Sequence, residues 1–435
     1  MPSINPVKGT HDVLLDEADA YAYIEQTFFD VAAAFGYRRV VTPVLEHTEV
    51  FDRATGESSD IVRKEMYTFE DKAGRSVTLR PEVTAGVMRS IVTNKLYVTP
   101  DMPMKFSYHG TAYRYERPQL GRYREFRQLG VECVGQDSAY LDAETIALAS
   151  RFLQTLGFQN VRLKVNTLGD KASRESYRVA LKEYFAKYLD SMCADCKQRF
   201  ELNPLRILDC KVPEDQKLVE GAPKMKDFLS PESKARYEQT LSLLDDLEIP
   251  YEVDDTLVRG LDYYGEIVFE VHCLSPEGHD YGAIVGGGHY QGMLSTFGGP
   301  SDIDVGVGFA MGEERVYALM KELGLADGLA EELDILMMPL GEQPVRACYL
   351  IADALRGLGY SVEVPYKSGK IGPLFKKAER KKAKFALIMG DDELQKQVIQ
   401  VKNLATQQQQ EVSVQDLFQY LENQMDALND GTQGE

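Results

Sequence analysis

Apolar and polar positions follow two different periods along the 435 residues of the chain. From Glu17 to Phe35 apolar residues recur at helical spacing, and the run stops at Gly36. A short strand, Tyr37–Val41, follows, and Pro43, which cannot donate to a sheet ladder, marks its exit. Strand-like pieces recur at Met66–Phe69 and Ser76–Leu79. Pro81 and Glu82 then open a helix to about Val92, proline being suited to a first helical turn. Lys105–Tyr115 and Phe126–Val134 read as two strands joined by a charged loop. Ala139–Leu156 reads as an amphipathic helix closed by Gly157, Val161–Val165 as a strand and Ser173–Leu189 as a helix.

The texture changes from about 190 to 248, where a polar stretch with prolines near 204 and 223 predicts a small helical insertion. Strand patterning resumes at Tyr251, with pieces near Glu266–His272, Tyr281–Val285 and Ile303–Ala310, then a helix over Glu313–Leu323. Ala326–Glu332 holds few helix or strand formers and predicts a domain boundary. Beyond it strands (Ile335–Met338, Ser361–Val364, Phe385–Met389, Gln397–Val401) are interleaved with helices (Val345–Leu358, Leu374–Arg380, Val414–Leu421). That rhythm predicts a small α/β domain with a largely parallel sheet. The glutamines at 407–410 suggest a turn between two strands, and residues from 424 to 435 read as a disordered tail.

Composition narrows the class. Apolar residues are 44%, charged residues 27% and aromatics 10%, which excludes wholesale disorder and fibrous architectures. Six cysteines in this length argue against a disulfide scaffold and fit a reducing compartment. The start of the chain lacks the basic-then-apolar signature of a signal peptide, and no stretch reaches the roughly 18 apolar residues of a membrane span. A soluble, cytoplasmic protein is expected. A net charge of −19, taken alone, argues against a nucleic-acid binder, but local patches can oppose the total.

No G-x-x-x-x-G-K-[ST] loop and no G-x-G-x-x-G turn is present, so side chains must handle any phosphate. Arg114–Arg127 holds five Arg and two Glu in an otherwise acidic chain, and Arg suits bidentate phosphate contacts. A solvated, salt-bridged hairpin is the blander reading. Leu257–Gly265 places Arg259 and the pair Tyr263–Tyr264 before an apolar strand, as a charge-stabilising group and a pocket wall, or merely as a strand start after a turn. In Gly306–Arg315 small residues permit close approach, and Arg315 stands in a first helical turn, where a cation opposes the helix dipole and needs a partner. Glu82 and Thr84 at a helix start are either caps or receptors for an ammonium group. Gly286-Gly287-Gly288, expected between a strand and a helix, implies a tight path or a ligand.

In order, RPEVT, RYERPQLGRYREF, LVRGLDYY, GGGHYQG and GFAMGEER resemble the motif series of the histidyl-tRNA synthetase family, class II aminoacyl-tRNA synthetases. The resemblance runs from Lys8 through the α/β tail. It implies an α+β fold: an antiparallel sheet of six or seven strands flanked by helices over 1–325, a helical insertion over about 170–250 and an anticodon-binding α/β domain over 332–423. Helix Glu17–Phe35 and the strand to Pro43 resemble the first class II motif, which builds a homodimer interface. The implied reaction joins histidine to ATP as histidyl-adenylate, releases pyrophosphate, then passes the histidyl group to tRNA(His) and releases AMP. It implies Arg114, Glu116, Arg122 and Arg315 in ATP binding, with Mg²⁺ accompanying ATP, and Arg259 as the catalytic cation opposite Arg114. Glu82, Thr84 and Gln128 would take the α-amino and carboxylate end of histidine. Glu132 and Tyr264 would bond the imidazole nitrogens, one donor and one acceptor, while Tyr263 and Tyr290 shape the pocket.

The chain departs from the family pattern at Lys8, where Arg is usual, and at His289 and Gln291, where Arg and Asp are common. Between Tyr366 and Lys384 there are eight basic residues and one acid, Glu379. Among them Lys367, Lys370, Lys376, Lys377 and Arg380 are the candidates for tRNA phosphates, with a solubilising helix face as the alternative. Cys193, Cys196 and Cys210 offer three thiolates, one short of a structural zinc site, so no metal held by protein ligands is expected. Two other functions stay open: a non-catalytic paralogue that senses histidine or tRNA, and an amide ligase that adenylates a carboxylate without tRNA.

Overall fold

The computed structural model describes residues 4–56, 59, 61–98, 101–116, 121–261, 263–330 and 332–431. The chain divides between Leu329 and Ala330 into two compact units.

The first unit is built on an eight-stranded sheet. From edge to edge its strands are Arg38–Arg39, Met104–Tyr113, Glu125–Val134, Val305–Gly312, Asp280–Gln291, Tyr264–Leu274, Val161–Thr167 and Tyr251–Val253. The central pairings are antiparallel and the two edge pairings parallel. The six or seven strands that the resemblance implied are eight here, counting edge strands of two and three residues.

Strand alternation gives the sheet two unlike faces. Leu129, Val131, Cys133, Val307, Phe309 and Met311 turn to one side and form a core with helices Asp16–Ala34, Ala139–Thr155 and Glu313–Glu322, through Phe28, Phe152, Val316 and their neighbours. The opposite face is paved with Gln128, Gly130, Glu132, Gly306, Gly308 and Ala310. Their register places Glu132 beside Gly308, and Gly308 beside Gly288. The three consecutive glycines thus lie inside the strand Asp280–Gln291, hydrogen-bonded on both sides, and not in the predicted turn. Gly286 and Gly288 leave space over the sheet, while Gly287 turns to the core against Phe269 and Phe309.

A three-stranded sheet runs in the order Leu45–His47, Ser76–Leu79, Tyr67–Glu70. Helix Thr84–Thr93 contributes Ala85, Val87, Met88 and Ile91 to a second core with Val50, Phe51, Tyr108 and Tyr290. The helix starts two residues later than predicted. Glu82 stays outside it and accepts the Ala85 N–H at 2.8 Å.

The predicted insertion is helical, with helices Lys171–Phe185, Ala194–Leu202, Pro213–Val219 and Pro231–Asp246 and a 3₁₀ segment, Pro204–Asp209. Its apolar side chains, among them Tyr177, Phe185, Ile207 and Leu208, share a core with Leu257, Val258 and Tyr264. The segment that carries Arg259 therefore rests on the insertion.

The second unit has a five-stranded sheet in the order Val362–Glu363, Ile335–Leu340, Phe385–Gly390, Val398–Asn403, Gln409–Ser413. Only the first three strands are parallel, which corrects the largely parallel expectation. The seven residues Asp391–Gln397 are too few for a crossover, and Gln397 at φ 55° turns the chain back as an antiparallel neighbour. Gln409 and Gln410 belong to the last strand, not to the turn. Helix Leu417–Gly431 runs past residue 424, where the tail was expected to be disordered. Leu417 and Leu421 are buried in the core of this unit and Met425 packs against it, which holds the helix. Residues 432–435 lie outside the described residues. No helix among the described residues is long and apolar enough to cross a membrane.

Candidate active site

A cavity of about 440 Å³ opens over the glycine-paved face of the sheet. Arg114 and Arg122 from one segment, and Arg259 and Arg315 from two distant ones, all line it.

Arg114 stands just past the strand Met104–Tyr113. Its Nε donates to the Pro81 carbonyl at 2.8 Å, and its guanidinium lies 5.2 Å from the Phe126 ring centre. Glu116 sits between two cations, 3.9 Å from Arg114 and 3.9 Å from Arg122. Arg117 and its three successors, the tip of the charged loop, lie outside the described residues. Arg315 finds the partners that its place in a first helical turn demands: its guanidinium donates to the carbonyls of Ala283, at 2.7 Å, and Tyr281. These are neutral acceptors. Burial, and after it the like charge of Arg122, hold the Arg315 pKa below its ordinary value. Two cations facing each other in this way form a place for an anion.

Arg259 approaches from the opposite side. It forms an ion pair with Glu270 and lies 5.7 Å from the Tyr264 ring centre, and its Nε is buried with no partner. The guanidinium lies flat on Gly286, where a Cβ would meet its atoms at 2.1–2.5 Å. Glu270, which sequence reading missed, also receives His272 at 3.1 Å. A carboxylate among Ile267, Val268, Phe269 and Val271 was the signal for it.

The deep end holds the candidates for histidine. Glu132 is 1% exposed. Its Oε1 accepts the Thr84 hydroxyl at 2.6 Å and its Oε2 the Tyr290 hydroxyl at 2.7 Å. A Cβ on Gly308 would lie 2.2 Å from Oε2, so only glycine lets this carboxylate rest on the sheet. Burial pushes the Glu132 carboxyl up to about 8 and also raises that of Glu82. Gln128 projects from the same strand face, its Oε1 buried without a partner. Tyr263 lies 4.6 Å from Tyr264 and 5.8 Å from Tyr290, ring centre to ring centre. Every residue expected to meet ATP or histidine thus lines the one cavity.

His289, one of the departures, points away from it. Its imidazole meets Asp142 at 3.3 Å and Arg236 of the insertion at 3.1 Å. Gln291 lines a neighbouring cavity of about 580 Å³, together with Lys171, Arg174, Arg178 and Arg206 of the insertion. These four cations were not singled out from the sequence, because they are spread along helices of mixed charge.

The tRNA candidates belong to the second unit. Lys367, Lys370, Lys376 and Arg380 are exposed on and before helix Ile371–Arg380. Lys377 is half-buried and pairs with Glu363 at 2.5 Å, so its charge is already engaged. In the insertion Cys193, Cys196 and Cys210 converge, and Asp215 joins them. The count of ligands from the sequence, which considered only Cys and His, was therefore one short.

Comparison with known proteins gives this arrangement a family. A family profile described as histidyl-tRNA synthetase matches residues 9–316, and one described as anticodon binding domain matches residues 334–424. The chain is 42% identical over 421 residues to a histidine–tRNA ligase from Geobacillus sp. (strain WCH70), covering 96% of this chain and 98% of the relative. It is 43% identical over 414 residues to one from Lactiplantibacillus plantarum, covering 95% and 97%. The solved structure of apo Staphylococcus aureus histidyl-tRNA synthetase aligns with a TM-score of 0.82 at 35% identity, covering 96% of this chain and all of the other. With the motif residues gathered around one cavity and the match running nearly end to end, the chain belongs to the histidyl-tRNA synthetase family.

Proposed function

We propose that the chain activates L-histidine with ATP and transfers it to tRNA(His). One observation carries the reading: Arg114, Arg259 and Arg315 converge on a cavity whose deep end is a buried carboxylate ringed by hydroxyls. A carboxylate oxygen of histidine attacks the α-phosphorus of ATP, the bond to the bridging oxygen breaks, and pyrophosphate leaves. Negative charge grows on the α-phosphate oxygens. Arg114 on one side and Arg259 on the other oppose it, both pre-set by protein contacts. Arg315 and Arg122 take the terminal phosphates. ATP enters as its magnesium complex, and Glu116, between Arg114 and Arg122, is the carboxylate on that side of the cavity. The terminal ribose hydroxyl of tRNA then attacks the acyl carbon, and AMP leaves.

Selectivity follows from polar pairing. Glu132 and Tyr264 meet the two imidazole nitrogens, while Glu82, Thr84 and Gln128 meet the amino and carboxylate end. An amino acid without the ring nitrogens strands buried polar atoms, a penalty that discriminates by on the order of 10⁴-fold. The tRNA lies against Lys367, Lys370, Lys376 and Arg380 of the second unit, with Lys171, Arg174 and Arg178 of the insertion near the acceptor end. Two copies pair through the first motif. Val41, Val44 and Leu45, 74%, 37% and 46% exposed, support that reading as an apolar strip left uncovered in one chain. Acting on tRNA, the protein would work in the cytoplasm.

ATP–pyrophosphate exchange with each of the twenty amino acids tests the proposal, with histidine alone expected to support it. Absence of histidine-dependent exchange leaves a sensing paralogue, and exchange without charging of tRNA leaves an amide ligase.

A further inference from the structure

The sulfur cluster of the insertion lies outside the cavity described above, and nothing in the reaction uses it. Three short elements deliver it. Cys193 caps helix Ala194–Leu202, Cys196 sits in the first turn of that helix, Cys210 follows the 3₁₀ segment Pro204–Asp209, and Asp215 belongs to helix Pro213–Val219. One ligand atom from each lies within 4.8 Å of the other three.

The spacing has a specific meaning. A tetrahedral zinc ion at about 2.3 Å from sulfur and about 2.1 Å from oxygen sets sulfur–sulfur edges of about 3.8 Å and sulfur–oxygen edges of about 3.6 Å. The Cys193 and Cys210 sulfurs are 4.0 Å apart, and the Cys210 sulfur is 3.4 Å from Asp215 Oδ2. A disulfide needs about 2.05 Å, so these sulfurs are not bonded to each other. Backbone donors face two of the sulfurs. The Cys196 N–H points at the Cys193 sulfur and the Val212 N–H at the Cys210 sulfur, each at 3.4 Å. The Cys193 N–H points at Asp215, 3.2 Å from Oδ2. Donors that orient the ligands from behind are the usual support of a metal site.

Burial removes the simpler reading of a surface acid beside scattered thiols. Asp215 is 1%, Cys196 0% and Cys210 5% exposed. Among the described residues, no Lys, Arg or His forms an ion pair with Asp215 within 4.0 Å. The donors that meet this carboxylate, the Cys193 N–H and the Cys210 thiol, are neutral and supply no counter-charge, whereas a bound cation supplies one. We infer that Cys193, Cys196, Cys210 and Asp215 bind a zinc ion as a closed structural site. Thiolate-rich, four-coordinate ligation selects zinc over magnesium or calcium, and four protein ligands leave no position for a substrate.

The site also has a route to the cavity. Cys210 fixes the end of the 3₁₀ segment that carries Arg206, and Arg206 donates to the Gly260 carbonyl at 2.9 Å, one residue from Arg259. Zinc therefore steadies the segment that presents Arg259. This last step rests on the proposed reaction, whereas metal binding does not.

The full-length chain, purified without chelator and under reducing conditions, is expected to carry about one zinc per chain by elemental analysis. Cys210→Ser and Asp215→Ala should each fall below about one third of that, while Cys348→Ser, a buried cysteine of the other unit, should keep it. Because a ligand variant can fail to fold, wild-type protein stripped by a chelator is refilled with Co²⁺. Intense visible bands of tetrahedral cobalt with thiolate charge transfer are expected, together with a thermal midpoint about 5 °C or more above the stripped form once Zn²⁺ is restored. The inference fails if wild-type protein carries less than about one tenth of a zinc per chain and takes up neither Zn²⁺ nor Co²⁺. It fails equally if a Cys193–Cys210 disulfide accounts for the thiols in the reduced preparation, or if both ligand variants retain full zinc. Loss of exchange activity with zinc retained would count against the proposed reaction and leave the metal site standing.

Discussion

Glu132 carries two demands that pull in opposite directions. On the proposed reading it is a buried acceptor for an imidazole, and burial raises its pKa from the ordinary 4.5 to about 8. Between those values the folded chain holds a proton that the unfolded chain has released. The stabilising contribution is complete below about 4.5 and is lost as pH rises through about 8, a swing on the order of a few kcal/mol. Glu132→Gln should therefore gain stability over wild type at pH about 8.5 that it does not gain at about 5.5. Urea unfolding without histidine at both pH values checks this, and an equal difference at both would remove Glu132 as the source. The same variant should lose histidine-dependent exchange. Arg259 differs, because its task is confined to the reaction. Arg259→Ala should slow activation by about 100-fold or more while histidine still binds. The fold should tolerate the change, since Glu270 keeps His272 as a partner. Equilibrium binding beside exchange kinetics separates the two effects, and near-normal exchange would refute the role.

At the scale of strands, the glycines beneath these side chains divide into two kinds. A Cβ at Gly286 would strike the far end of Arg259, which can swing away. A Cβ at Gly308 would meet the Val131 carbonyl at 2.3 Å as well as Glu132, and backbone cannot swing. Gly286→Ala should therefore reproduce the activation defect of Arg259→Ala with a thermal midpoint close to wild type, whereas Gly308→Ala should lose about 1–3 kcal/mol or more of stability. Thermal melts beside exchange rates decide it, and two variants with the same pattern would show that the glycines are one structural unit. This difference also marks what the sequence could disclose. The glycine run was legible as a close approach, but its placement was not: a strand with no side chains carries no period, so it read as a turn. The charged ends of the site, Arg114, Arg259 and Arg315, were legible from ordered motifs and do share the cavity. The order and direction in which strands pair, and a carboxylate ligand five residues beyond Cys210, carry no local signal, since pairing across the sheet and packing in the insertion decide them.

For the molecule as a whole, a net charge of −19 opposes a polyanionic partner, and the distribution of charge resolves the conflict. Acidic surface repels nucleic acid nonspecifically, so on the proposed reading productive contact falls on the cationic strip of the second unit and on the basic wall of the insertion. Within the strip the charges are not equivalent. Lys377 is tied to Glu363, and Lys384 to Asp334 at 2.9 Å, where they hold the helix and strand of the unit together. Lys367, Lys370, Lys376 and Arg380 are exposed. Replacing these four with Ala should weaken tRNA binding most at low salt and reduce the slope of log affinity against log salt by about 1–3, in proportion to the phosphates no longer neutralised. Replacing Lys377 alone should instead lower stability and hardly change the slope. Exchange with histidine and ATP, which needs no tRNA, should stay within about twofold of wild type in the fourfold variant, because its changes lie outside the unit that forms the cavity. Filter binding across a salt series, run beside exchange, separates these outcomes. An unchanged slope with weakened exchange would mean that the strip serves the fold, and that tRNA is held by the basic wall of the insertion alone.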